Sequence, residues 1–141
     1  MDEIKKLNDL WHVVNMCMKR EMSSGKYPAT VGVSMVELSI LQVIESLPTC
    51  MMKDVSNQLG LPKSTLTSAA NRLEAKGYIT KSPSKNDKRA YNLELTALGT
   101  QAQREHLDIE HSVLSDFFSA LNREEKNSFL RMFSKAASKI T

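Results

Sequence analysis

Apolar residues recur at helical spacing from Ile4 through Leu7, Leu10, Trp11, Val14, Cys17, Met18 and Met22, until Ser23–Pro28 breaks the pattern. This predicts a long first helix. Ser34 can cap a second helix whose Leu38, Leu41, Ile44 and Leu47 share a face. Glu37 stands at its capping-box position and Pro48 just past its end. A short third helix ends at Gly60, a natural C-terminal glycine. In the next segment Pro62 suits the first turn, Gly77 the end, and Leu66, Ala69, Ala70 and Leu73 form one apolar stripe.

Between Tyr78 and Leu95 the period changes from 3.6 to 2, with Tyr91, Leu93 and Leu95 alternating with polar residues. This predicts a hairpin with a polar tip, anchored by those three side chains. A fifth helix should run from about Thr96 to Leu121. Asn122 with Glu125 forms a second capping box and opens a last helix striped by Phe129, Leu130, Phe133, Ala136, Ala137 and Ile140. Two short helices around a glycine turn, followed by a hairpin, make a winged helix-turn-helix. The expected class is mainly α (α+β), one domain over 1–141, with a DNA-binding lobe at about 34–96. Helices at about 1–24 and 97–141 carry more apolar surface than one lobe needs, which fits dimerisation.

The 141 residues suffice for a real core, and their net charge of +3 is too small to name a partner. Its distribution is more telling. Residues 52–96 hold eight basic and four acidic side chains, 8 − 4 = +4, and the remainder holds 11 basic and 12 acidic, −1. The positive excess sits in the segment with the expected recognition helix and wing, as a polyanion partner requires. No apolar run approaches a membrane span and the N-terminus lacks a signal peptide's apolar core, so a cytoplasmic location without membrane association is expected. Cys17 and Cys50 lack CxxC spacing and are expected as reduced thiols. No GxSxG, HExxH, GxxxxGK[ST] or CxxC occurs, which argues against an enzyme, and no cofactor is implied.

Opposite the stripe of the fourth helix lie Ser64, Ser68 and Asn71, with Lys63, Thr65, Thr67 and Arg72 around them. Short donors and acceptors with a few cations suit a helix entering a groove, and Asn71 could pair with adenine. A solvated polar face is the plainer alternative. At the hairpin tip Lys85, Lys88 and Arg89 can reach phosphates or a minor groove, with Asp87 orienting an arginine. An ordinary charged turn would look the same.

From Ser56 to Gly99 the chain resembles the multiple antibiotic resistance regulator (MarR) family. Leu59-Gly60, Ser64-Thr65, Thr67, Asn71-Arg72-Leu73-Glu74, Gly77-Tyr78-Ile79, Asp87 with Arg89, and Leu95-Thr96 with Gly99 fall in register with its pattern. The flanking helices match the family's dimerisation elements in order and length. The resemblance implies a homodimer on near-palindromic double-stranded DNA, with recognition helices in successive major grooves and wing arginines in the flanking minor grooves. Carried over by residue, the recognition positions are Ser64, Thr65, Thr67, Ser68 and Asn71, and the wing positions Asp87 and Arg89. Ser68 departs from the family, which often has Arg there, so sequence preference does not transfer.

The resemblance also implies a repressor released by a small, often aromatic and anionic effector bound between helical base and winged lobes. Trp11, His12, Met16, Tyr27, Met35, Leu38 and Met51 could line that space, or could be ordinary core and interface residues. Cys17 lies broadly where peroxide-sensing relatives carry a reactive thiol, which leaves a redox-responsive regulator as an alternative. Its apolar flanks fit a structural thiol equally. His106 and Glu110 share a helix face but His111 is displaced from it, so no metal site is expected. A helical protein-interaction module without DNA binding is the remaining reading.

Overall fold

The structure, a computed structural model, describes residues 2–86 and 89–141. Its elements follow the periodicities closely. Helix α1 spans Glu3–Met22, α2 Met35–Ser46, α3 Met52–Leu59, α4 Lys63–Ala75, α5 Ala97–Ser119 and α6 Arg123–Ala137. A 3-10 turn, Pro28–Thr30, precedes α2. Side-chain caps define the helix starts: Ser34 Oγ accepts the Glu37 N–H, Thr96 Oγ1 the Gly99 N–H, and Asn122 Oδ1 the Glu125 N–H. At Asn122 the box is reciprocal, with Glu125 accepting the Asn122 N–H at 2.8 Å. Gly60, at φ 62°, takes the left-handed conformation that ends α3.

Strands β2 (Ile79–Pro83) and β3 (Tyr91–Leu95) form the expected hairpin, in register from Ile79 opposite Leu95 to Pro83 opposite Tyr91. A further strand, β1 (Cys50–Met51), pairs with the other edge of β3, so the sheet has three strands in the order β1-β3-β2. Two residues are too short a run to show alternation. Of the hairpin's expected anchors, Leu93 is buried and Leu95 half-buried, but Tyr91 is 46% exposed. It lies at the far end of β3 from the core. Helix α6 stops before Ile140, which is left 87% exposed.

The core joins Leu38, Ile40, Leu41 and Ile44 of α2 to Val55 of α3, the α4 stripe, Ile79, Leu93 and Ala102. All four α4 stripe residues are sealed in it. At roughly 1.5–3 kcal/mol per large apolar side chain, this burial fixes which side of α4 faces out. By contrast α1 and α6 bury no residue fully. No helix among the described residues is long and apolar enough to cross a membrane.

Candidate nucleic-acid interface

Because the stripe is buried, Lys63, Ser64, Thr65, Thr67, Ser68, Asn71 and Arg72 are all exposed on the outer side of α4. They do not all project freely. Thr67 Oγ1 donates back to the Lys63 carbonyl at 2.8 Å, and the Asn71 Oδ1 accepts a hydrogen bond from Lys81 Nζ of β2. Arg72, expected among the DNA-facing cations, turns toward α2, where its Nε lies 3.0 Å from Glu37 Oε1.

Glu37 is the hinge of that arrangement. The expected capping box is half made: Ser34 accepts the Glu37 N–H, but the carboxylate leaves the helix start and meets Arg72 and Lys76 Nζ, the latter at 3.3 Å. Lys76 also donates to the Gly32 carbonyl at 2.8 Å. A carboxylate that is only 4% exposed gains more from two cations than from one backbone N–H. Burial pushes its pKa up, yet hydrogen bonds from Arg72 and Lys76 and the Lys76 charge outweigh this and hold it below the ordinary value of 4.5. The pairing therefore stabilises the fold above that value and is lost as pH falls through the lowered one. Glu37→Gln is expected to cost about 1–3 kcal/mol at neutral pH, with the difference from wild type closing in acid. Denaturant titrations across pH check this, and a pH-independent difference would contradict it.

Between α4, α3, β1 and the hairpin lies a cleft of about 770 Å³. Lys63, Thr67 and Asn71 border it from α4, Lys53 and Ser56 from α3, and Lys81, Arg89 and Tyr91 from the hairpin. Arg89 is exposed, as is Lys85; Asp87 and Lys88 lie outside the described residues. The hairpin continues past its strands, with the Ser84 N–H donating to the Ala90 carbonyl at 2.8 Å. Sequence reasoning missed Lys81 and Lys53. Lys81 had a readable signal, since period-two alternation puts it on the same side of β2 as buried Ile79.

The residues expected around an effector are dispersed. Trp11, His12 and Met16 are exposed on α1, Met35 is half exposed, and Leu38 is wholly buried in the core. Tyr27 donates to Glu21 Oε1 at 2.8 Å, and that hydrogen bond, then burial, raises its pKa. Met51 alone of the seven borders the cleft. Cys17 is half-buried on α1; Cys50 is buried in the core, its thiol pushed up to about 11 by burial and then by Asp54. His106 Nε2 lies 3.3 Å from Glu110, while His111 lines a groove between α5 and α6. Among the described residues no three His, Cys, Asp or Glu gather to hold a metal ion.

The model of the MarR family matches residues 33–91, from the approach to α2 to the first residue of β3. An uncharacterized HTH-type transcriptional regulator, YwhA of Bacillus subtilis (strain 168), is 29% identical over 92% of this chain and 94% of its own. The transcriptional repressor MprA of Escherichia coli (strain K12) is 33% identical over 62% of this chain. The match spans 49% of MprA, about half that relative's length. A solved structure of mutant MarR from E. coli, complexed with operator DNA, shares the fold with a TM-score of 0.69 at 21% identity, covering 96% of each chain.

Proposed function

Given that the chain belongs to the MarR family of winged-helix, DNA-binding transcriptional regulators and is not an enzyme, we propose that it is a homodimeric repressor acting in the cytoplasm. Residues at about 34–96 form its DNA-binding lobe, and those at about 1–24 and 97–141 its dimerisation region. It occupies a near-palindromic operator and leaves it when a small, aromatic and anionic molecule binds. The observation that carries the DNA reading is convergence. The outer side of α4 and the hairpin, reached by separate stretches of chain, bring Lys63 and Arg89 to one cleft whose mouth is also lined by short polar side chains. Cations from two elements flanking a polar helix face suit a duplex, with phosphates on either side of a groove. The name of MprA supports repression, and the apolar faces of α1, α5 and α6 support self-association.

Anisotropy titrations on the DNA immediately upstream of its own gene, repeated across salt concentrations and with a panel of aromatic acids, test the reading. Affinity should fall steeply with salt as counterions are released. Arg89→Ala should weaken binding to every sequence and reduce the salt slope by about 1, the signature of one lost phosphate contact. Unchanged affinity in that variant would remove the wing from the interface, and salt-insensitive binding would favour a protein-docking module instead.

A further inference from the structure

Asn71 and Lys81 come from different elements, yet the ammonium of Lys81 meets the Asn71 amide while lying 3.9 Å from Glu74 Oε1. Lys81 is only 15% exposed at its side chain, and Asn71 is exposed on the outer side of α4. A lysine ammonium carries three donors and no acceptor, so the atom of Asn71 facing it must be the oxygen. The planar amide then turns Nδ2, with its two N–H groups, away from β2. Reading adenine in the major groove takes both halves of the amide, the oxygen accepting from N6 and the nitrogen donating to N7. Here one lone pair of the oxygen is engaged by the ammonium, whose charge disfavours a second donor at the other, and the amide nitrogen only donates.

We propose that Lys81 is a specificity-positioning residue, which by holding the amide oxygen makes Asn71 a donor-only reader of base edges. Guanine satisfies such a reader best, because N7 and O6 offer two adjacent acceptors; thymine offers O4, and cytosine offers a donor. The proposal rests on α4 entering a DNA groove. The pairing expected from Asn71 alone, with adenine, is thereby replaced by guanine.

Selection from a duplex pool with a randomised core, using the full chain, tests this. Wild type should enrich guanine on the order of tenfold over adenine at one symmetric pair of positions. Asn71→Ala should flatten those positions, Lys81→Arg should keep guanine because the donor remains, and Lys81→Met should move the preference toward adenine. Circular dichroism confirms that each variant is folded. A Lys81→Met profile identical to wild type, a wild-type preference for adenine there, or an Asn71→Ala profile that does not change overturns the proposal while leaving DNA binding intact. If wild type enriches no duplex at all, the regulator reading itself fails and this proposal falls with it.

Discussion

Gly99→Ala is expected to destabilise the fold by ~3 kcal/mol or more, although alanine is the better helix former by about 1 kcal/mol. Gly99 is buried in the first turn of α5, and a Cβ there would lie 2.1 Å from the backbone oxygen of Tyr78. That oxygen cannot rotate away. It accepts the Thr96 N–H at 3.0 Å, and Thr96 Oγ1 donates to the Gly77 carbonyl at 2.6 Å while accepting the Gly99 N–H. Tyr78 is itself tethered, its hydroxyl donating to the Ala29 carbonyl at 2.6 Å. The alanine must therefore lever α5 off the start of β2, disturbing the joint that relates the helical base to the wing. Thermal unfolding at fixed protein concentration should show a midpoint lower by roughly 10 °C. Gly60→Ala is the control: its φ of 62° disfavours alanine, but nothing lies within 4 Å, so about 1–2 kcal/mol is expected. A Gly99→Ala protein as stable as wild type would mean that the joint is not tight.

That joint was legible in the sequence only as a boundary. Thr96 and Gly99 stood where the strand period gave way to the helical one, which located the start of α5. Nothing in the period said that the glycine's missing side chain makes room for a carbonyl 21 residues earlier. The same division runs through the site. Helix α4 showed its buried and exposed sides because Leu66, Ala69, Ala70 and Leu73 repeat at short range. What its exposed polar groups are bonded to depended on contacts with no sequence period. Glu37 reaches Arg72 across 35 positions, and Lys81 reaches Asn71 across 10. Strand β1 was hidden differently: its two residues gain their extended form by pairing with β3, Cys50 with Leu93 and Met51 with Asn92, partners far off in the chain.

Replacing both Leu7 and Trp11 by aspartate should convert the proposed dimer to a monomer and weaken operator binding by on the order of 10²–10⁴-fold. Both residues belong to the apolar face of α1 yet are 63% and 54% exposed in the single chain, beside Ile4 at 73% and Leu10 at 57%. Leu107, Leu114 and Phe117 on α5 and Leu130, Met132 and Phe133 on α6 are also exposed, so the chain's uncovered apolar bulk collects largely on its outer helices. In the proposed dimer a two-fold partner would cover this surface with its own copy. The choice of residues separates folding from association. Phe117 packs against Phe118 and Phe129 within the chain, at 5.8 and 5.5 Å between ring centroids, so its loss would damage the α5–α6 contact directly. Leu7 and Trp11 lie in the half of α1 whose residues are all exposed in the single chain. Sedimentation should therefore show the mass falling from about twice 15.8 kDa to 15.8 kDa with the winged lobe still folded. The affinity loss follows from linkage: in a dimer the second lobe binds at the high effective concentration set by the first, and separated lobes forfeit it. A doubly substituted protein that stays dimeric would move the interface off this face of α1. One that turns monomeric but keeps full affinity would mean that a single lobe suffices for the operator.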